Sequence, residues 1–152
     1  MTRIAIVTGG ARGIGSAVSR RLLSRGYAVA ATYHGNVEAA EAFARETGIR
    51  TYRWDVADYA AAKTGILGFT KALALETASK GITVNAIAPG YVATEMLATV
   101  SKEVLARIEQ QIPLGRLGTP EEVARIVEFL VADDAGFITG ATVSANGGQY
   151  MI

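Results

Sequence analysis

The 152-residue chain has no cysteine and one histidine. Without cysteine, disulfides, iron–sulfur clusters, cysteine-ligated zinc and thiol nucleophiles are excluded, and a single histidine removes the usual multi-histidine metal sites and most serine–histidine triads. We therefore expect no metal centre. An excess of one charge is also missing, since 15 Lys and Arg stand against 14 Asp and Glu. Nothing in this balance favours nucleic acid or an anionic membrane surface as a partner.

Long apolar runs are missing as well. The longest, such as Tyr27 to Ala31, are too short to span a bilayer, and the first seven residues are too short and too weakly charged for a signal peptide. Together with the absence of cysteine, this favours a cytoplasmic protein. Half of the residues are hydrophobic and 19% are charged, which is typical of a folded chain. The length predicts one domain over residues 1–152.

The chain is rich in glycine, with 17 residues, and its apolar pattern alternates between short runs typical of buried parallel strands and helical spacing. The pattern predicts strands over residues 3–8, 27–32, 49–54, 82–87 and 142–145. It predicts helices over residues 13–25, 37–47 and 59–80, and a fourth that begins with a capping box from Thr119 to Glu122. This alternation indicates an α/β fold with an open, mostly parallel sheet of about five strands.

A glycine-rich segment follows the first predicted strand. Residues 8–15 read TGGARGIG and lead directly into the first predicted helix. Glycines in this place allow a tight turn, let backbone N–H groups approach a pyrophosphate and leave the helix N-terminus facing the phosphates. A purely structural glycine turn is the alternative. The strand before it and the helix after it favour dinucleotide binding.

A tyrosine and a lysine stand one helical turn apart at the start of the long predicted helix. Tyr59 and Lys63 form the sequence YAAAK, so both side chains project from the same helix face. A nearby ammonium lowers the pKa of a phenol, which suits the tyrosine to give a proton to a carbonyl oxygen while a hydride arrives on the carbon. The alternative is a solvated helix surface. The glycine turn upstream favours the catalytic interpretation.

The end of the second predicted strand indicates which cofactor is preferred. NAD enzymes place an acidic residue there to accept the ribose 2′-OH, whereas residues 31–34 read ATYH. Arg12 in the glycine turn could pair with a 2′-phosphate, so NADPH is favoured over NADH; the alternative is that Arg12 is merely solvated. His34 is better interpreted as a loop residue near the adenosine end than as a catalyst.

The spacing TGxxxGxG together with YxxxK resembles the short-chain dehydrogenase/reductase family. Longer phrases extend the resemblance over nearly the whole chain: MTRIAIVTGGARGIG, YAAAKTGILGFTKALALE, GITVNAIAPGYVATEM, IPLGRLGTPEEVARIVEFL and GFITGATVSANGGQYM. It implies a Rossmann-like open parallel sheet with helices on both faces. Through its likeness to members that act on acetoacetyl-CoA and related substrates, it also implies NADPH-dependent reduction of a 3-oxoacyl thioester to the 3-hydroxyacyl thioester.

The resemblance assigns roles to individual residues. It implies that Tyr59 is the proton donor and that Lys63 lowers its pKa and holds the nicotinamide ribose. It implies cofactor contacts at these positions: Gly9, Arg12, Gly13, Ile14, Gly15, Tyr33, Asp55, Val56, Pro89, Gly90 and Thr94.

The chain departs from the family where Asp58 is joined directly to Tyr59. The family has two further strands with their helices between those points, so roughly 60 to 90 residues are absent. The asparagines are Asn36, Asn85 and Asn146, which leaves no NNAG motif, and residues 48–58 contain no serine to match the family's catalytic one. Two interpretations therefore stand: a reductase, or a shortened NADP(H)-binding module without turnover.

The shortened chain allows one sheet in which the fourth strand takes the vacant place beside the first, in the order third, second, first, fourth, last. Tyr59 would then begin at the edge strand, roughly 10 Å, or two strand spacings of about 4.8 Å, from the point of hydride transfer. The small residues of the long helix share one face: Ala62, Gly65, Gly68 and Ala72. This face predicts contact with a helix of a second subunit, and hence a homo-oligomer.

Overall fold

The computed structural model describes the backbone of residues 3–53 and 59–151 and the side chains of residues 3–53 and 65–151. In chain order the helices and strands are β1 (Ile4–Val7), α1 (Gly13–Ser24), β2 (Ala28–Tyr33), α2 (Val37–Thr47), β3 (Arg50–Arg53), α3 (Tyr59–Thr77), β4 (Ala86–Pro89), α4 (Glu95–Ala98), α5 (Lys102–Gln110), α6 (Pro120–Leu130) and β5 (Thr142–Ala145). Every strand pair among them is parallel. The predicted α/β class with parallel strands is confirmed.

The strands form two sheets. One has the order β1-β2-β3 and the other pairs β4 with β5. The expected single sheet, with the fourth strand beside the first, is therefore wrong, and within the described residues the outer edge of β1 has no strand partner. Helix α6 packs against α1 and also contacts β4. This packing fixes the β4-β5 sheet relative to α1 without bringing β4 to β1.

Two small clusters of buried residues lie on the same side of the three-stranded sheet. Helix α2 covers the first, which contains Ala11, Ala31, Ala40, Phe43 and Ile49. The second joins α1 to α6 through Ala17, Val18, Leu22 and Ala124. On the opposite side of the sheet, Ile4 and Ile6 are 76% and 71% exposed. Parallel sheets are normally covered on both faces, and among the described residues this face of β1 lacks its usual cover.

Ion pairs reinforce the contact between α1 and α6. Arg21 and Arg25 both pair with the Glu128 carboxylate, and the hydrogen bond from Arg21 is the main cause that holds the pKa of Glu128 below its ordinary value. The N-terminus of α6 is capped as predicted, because the Thr119 hydroxyl accepts from the Glu122 N–H at 3.2 Å and the Glu122 carboxylate accepts from the Thr119 N–H at 2.8 Å. A hydrogen bond from Arg116 contributes most to lowering the pKa of Glu122 to about 2.

Some predicted bounds match and others shift. The predicted bounds of α2 and β5 agree with the structure, but the fourth strand begins at Ala86 rather than at residue 82. Just before it, the Asn85 amide donates to the Ile138 carbonyl at 2.8 Å and accepts from the Ala141 N–H at 3.1 Å, so this stretch is held by loop contacts. No helix within the described ranges is long and apolar enough to cross a membrane.

Candidate cofactor site

The glycine turn connects β1 to α1, and its conformation requires glycine at several positions. Gly9 and Gly13 have φ values of +63° and +50°, a region that other residues rarely adopt. Gly15 lies against the backbone of the same turn: a β-carbon built on it would come 2.2 Å from the Gly9 carbonyl oxygen. A β-carbon on Gly9 would meet no atom within 4 Å. The turn is thus closely packed at Gly15, whereas the space beside Gly9 is open.

Two residues absent from the sequence-based list hold this turn in place. Thr32 accepts twice, from the Gly9 N–H on its hydroxyl at 3.3 Å and from the Gly10 N–H on its carbonyl at 2.9 Å. Ser19 is fully buried and donates its hydroxyl to the Gly10 carbonyl at 2.9 Å. Thr32 lies at the end of the predicted second strand, a position that could have indicated its role. Ser19 gives no comparable signal.

The N-terminus of α1, which follows the glycine turn, has neither a side-chain cap nor an acidic residue in its first turn. Its N-cap residue is Arg12. The N-terminus of α6, by contrast, carries a capping box and two acidic residues. Free N–H groups and the positive end of the helix dipole favour an anion. The geometry of this turn fits the pyrophosphate of a dinucleotide.

The segment after β4 approaches the glycine turn from the other sheet. Thr94 is the N-cap residue of α4, and a β-carbon on Gly13 would lie 3.5 Å from its methyl group. The Arg12 guanidinium lies 3.9 Å from the Glu95 carboxylate, and both side chains are at least half exposed. The structure thus brings Thr94 to the glycine turn. Sequence reasoning missed Glu95, since no local pattern links it to an arginine so distant in the chain.

Other predicted contact residues lie at strand ends. Pro89 ends β4, and Gly90 donates its N–H to the Ala145 carbonyl at 3.0 Å. A β-carbon on Gly90 would come 2.8 Å from the α-carbon of Asn146, so only glycine lets these segments pack so closely. Tyr33 ends β2 and packs partly buried against the core under α2.

The other predicted positions lie in the loop after β2, in the segment after β3 and at the start of α3. His34 follows β2 in the turn before α2, which agrees with its interpretation as a loop residue. Asp55 and Val56 lie outside the described residues. Helix α3 begins at Tyr59, but the side chains of Tyr59 and Lys63 lie outside the described ones. The predicted displacement of Tyr59 from the point of hydride transfer stays a prediction.

The three asparagines are all engaged with the backbone. Asn36 caps α2 by accepting from the Ala39 N–H at 2.9 Å, and Asn85 bridges residues 138 and 141. Asn146 accepts from the Gly148 N–H at 3.1 Å and donates to the Tyr150 carbonyl at 2.7 Å. Each asparagine thus has a structural role. Among the described residues, no group of His, Asp and Glu is arranged to hold a metal ion.

Two family models divide the chain between them. The one described as short chain dehydrogenase matches residues 3–58, and the one described as Enoyl-(Acyl carrier protein) reductase matches residues 57–149. Among solved structures, a short-chain dehydrogenase/reductase from Serratia marcescens BCRC 10948 is similar with a TM-score of 0.88 at 26% identity, and 97% of each chain is covered.

Several similar proteins are reductases. Acetoacetyl-CoA reductases of Shinella zoogloeoides and Rhizobium meliloti (strain 1021) are 40% and 41% identical over 241 and 240 aligned positions, which cover 100% and 99% of this chain and the whole of each relative. The 3-oxoacyl-[acyl-carrier-protein] reductase FabG of Escherichia coli (strain K12) is 52% identical over 96 residues, which cover 63% of this chain and 39% of that protein.

The alignments also agree with the predicted internal deletion. The Shinella zoogloeoides alignment runs over 241 positions while this chain has 152 residues, which leaves about 89 positions without a residue of this chain. The two family models meet at residues 57–58. This meeting point coincides with the junction of Asp58 and Tyr59, where the sequence alone indicates that a segment is absent.

Proposed function

Because the chain belongs to the short-chain dehydrogenase/reductase family, we propose that it binds NADPH and that its site is suited to the reduction of a 3-oxoacyl thioester to the 3-hydroxyacyl thioester, a reaction that the absent segment slows by at least about a thousandfold. The observation that carries cofactor binding is the closed glycine turn in front of the uncapped N-terminus of α1. The names of the relatives support this substrate class, and acetoacetyl-CoA is the substrate to test first.

Each part of the proposed site has a distinct task. The first-turn N–H groups of α1 bind the pyrophosphate, and Arg12 pairs with the 2′-phosphate. In the reaction of an intact site, Tyr59 would give its hydroxyl proton to the substrate carbonyl oxygen, and Lys63 would keep the phenol acidic. NADPH supplies the hydride when it is bound. Thr94, which lies against Gly13, helps to close the site over the cofactor.

NADPH should bind at least about tenfold more tightly than NADH, and Arg12→Ala should abolish most of that difference. A hydrogen bond to a charged group contributes about 1.5–3 kcal/mol, or about 10- to 150-fold in affinity. Arg12 lies 3.9 Å from Glu95 and is half exposed, so its guanidinium is free to turn toward a phosphate. Fluorescence titration of both cofactors measures the ratio.

Arg45→Ala is the matched control for this titration. Arg45 is an exposed arginine of α2 that lies 3.7 Å from the Glu41 carboxylate on the same helix. The control should leave both affinities unchanged. Equal affinity of the unmodified chain for NADPH and NADH would show that Arg12 does not recognise a 2′-phosphate.

A non-catalytic NADP(H)-binding module is the second candidate function. It is favoured by the roughly 89 alignment positions that have no counterpart here and by the three asparagines, whose side chains are engaged in capping and loop contacts. In this alternative the glycine turn and Arg12 keep their roles, whereas Tyr59 and Lys63 perform no chemistry. Assays of turnover separate the two functions.

We also propose that the chain assembles as a homo-oligomer through α3. Gly65, Gly68, Phe69 and Ala72 follow helical spacing on one face and are all exposed, Phe69 to 63%. Sedimentation velocity should show a dimer, and Phe69→Glu should shift it toward monomer because a carboxylate would be buried in the contact. Leu114→Glu, at an exposed position outside α3, is the control. A strict monomer at high concentration contradicts this assembly.

A further inference from the structure

A glutamate from the second sheet lies beside the arginine of the glycine turn. Glu95 is the first residue of α4, and its carboxylate lies 3.9 Å from the Arg12 guanidinium. Arg12 is the N-cap residue of α1. Because α1 follows β1 and α4 follows β4, the two residues come from elements that follow strands of different sheets. Their ion pair is therefore a contact across the candidate cofactor site rather than a local pair within one helix.

The backbone that carries Glu95 is fixed beside the glycine turn. The Thr94 methyl group would lie 3.5 Å from a β-carbon built on Gly13, which is an ordinary contact distance. The Thr94 carbonyl accepts from the Leu97 N–H at 2.9 Å and from the Ala98 N–H at 3.2 Å, and these bonds form the turn of α4. The Glu95 carboxylate is thus kept within reach of the guanidinium.

The ion pair of Arg12 and Glu95 is weak enough for a ligand to break. Its side chains are 50% and 76% exposed, and 3.9 Å is too long for a hydrogen bond. An exposed pair of this kind contributes up to about fivefold to an equilibrium. A ligand with stronger bonds to Arg12 can therefore displace Glu95, but its affinity is reduced by a measurable factor.

A carboxylate and a phosphate are alternative partners for the same guanidinium. Both accept N–H hydrogen bonds from arginine, and both carry negative charge. A 2′-phosphate on Arg12 would have to replace the Glu95 carboxylate and would also be repelled by it. NADH has an uncharged hydroxyl in place of this phosphate. Its affinity should therefore depend little on the charge of Glu95.

We propose that Glu95 is a specificity-determining residue that competes with the 2′-phosphate for Arg12, and so lowers the affinity for NADPH but not for NADH. This competition rests on the proposed function, in which Arg12 binds the 2′-phosphate. It adds a residue of α4 that limits how strongly NADPH is preferred. The competitor belongs to the same chain, so it is present at every cofactor concentration.

The test compares Glu95→Gln with the unmodified chain by fluorescence and calorimetric titration. Glutamine keeps the shape of the side chain and removes its charge, and at 76% exposure this change should not disturb folding. We expect NADPH to bind about three- to tenfold more tightly, since both the competing pair and the repulsion are removed. NADH should stay within about twofold. Adenosine 2′,5′-bisphosphate and AMP give the same comparison without a nicotinamide.

Two further variants show how Glu95 acts. Glu41→Gln is the matched control, because Glu41 is exposed and lies 3.7 Å from Arg45; it makes the same change of charge at a similar ion pair on α2 and should leave every affinity unchanged. The double variant Arg12→Ala with Glu95→Gln should bind NADPH no more tightly than Arg12→Ala alone, since the competition requires the guanidinium. A merely structural role of Glu95 would change the affinities for NADPH and NADH together.

Three results would overturn the proposal. The first is an unchanged or weaker affinity of Glu95→Gln for NADPH, and the second is an equal gain for NADPH and NADH. The third is a gain that persists when Arg12 is alanine, since Glu95 would then act without Arg12. Failure of the proposed function has a different signature: the unmodified chain would prefer neither NADPH over NADH nor the bisphosphate over AMP. If that preference exists and Glu95→Gln leaves it unchanged, only the role of Glu95 is lost.

Discussion

Acetoacetyl-CoA reduction by this chain alone should be undetectable, or at least about a thousandfold slower than by the full-length Shinella zoogloeoides relative. Loss of one positioned hydrogen-bond donor at a developing oxyanion costs about 100- to 1,000-fold in rate. Residues 48–58 supply no serine, and the three asparagines are engaged in capping and loop contacts. A misplaced Tyr59 would lower the rate further, because reacting groups must be held close to their productive geometry.

The assay follows NADPH oxidation at equal concentrations of the chain, its Tyr59→Phe variant and the full-length relative. The two short proteins should give the same background rate, since the tyrosine hydroxyl contributes nothing when it is not at the substrate. Cofactor titration of the same samples shows whether the site still binds. Robust turnover that Tyr59→Phe abolishes would refute the inactive interpretation and would favour the reductase over the binding module.

The parts of the fold that the sequence predicts well are those with a local physical signal. The capping box at Thr119 uses side chains three residues apart, and it forms as expected. The bounds of α2 are also local, since Asn36 caps its start and Gly48 ends it in the left-handed conformation. Such signals depend on neighbouring residues and survive the loss of a distant segment.

The sheet order depends on contacts that no local pattern encodes. A right-handed crossover would allow β4 to pair with β1. In the structure α1 packs on α6, and β4 lies in a different sheet from β1. The free energy of that packing comes from burying Val18, Leu22 and Ala124 together. The same limit applies to the cofactor site, where the contact of Arg12 with Glu95 joins two sheets. Neither contact could be predicted from spacing along the chain.

Helices α4 and α5 were not predicted, although part of their signal is present. Ser101 caps α5 by accepting from the Val104 N–H at 3.4 Å, and serine before a charged, apolar-periodic stretch is a helix start. Helix α4 has only four residues, too few to show helical periodicity. Its position matters more than its length, because it places Thr94 and Glu95 beside the glycine turn.

Gly15→Ala should weaken dinucleotide binding by about 10- to 100-fold or more, whereas Gly68→Ala should leave it unchanged. A β-carbon on Gly15 would lie 2.2 Å from the Gly9 carbonyl oxygen and 2.7 Å from its carbon. These are backbone atoms that cannot rotate away, so the turn itself must move, and overpacking of this kind costs about 1–3 kcal/mol or more. Gly68 is also helical, but a β-carbon there would meet no atom within 4 Å.

Cofactor titration and thermal unfolding are measured for both variants. Together they show whether a loss of cofactor affinity comes from the turn itself or from unfolding of the protein. In the monomer, Gly68→Ala should raise stability slightly, since alanine is favoured over glycine inside a helix by about 0.5–1 kcal/mol. If Gly15→Ala still unfolds cooperatively but no longer binds, the turn is required for the cofactor rather than for the fold alone. Unchanged affinity in a folded Gly15→Ala protein would mean that the pyrophosphate is not bound by this turn, and the proposed cofactor site would have to be abandoned.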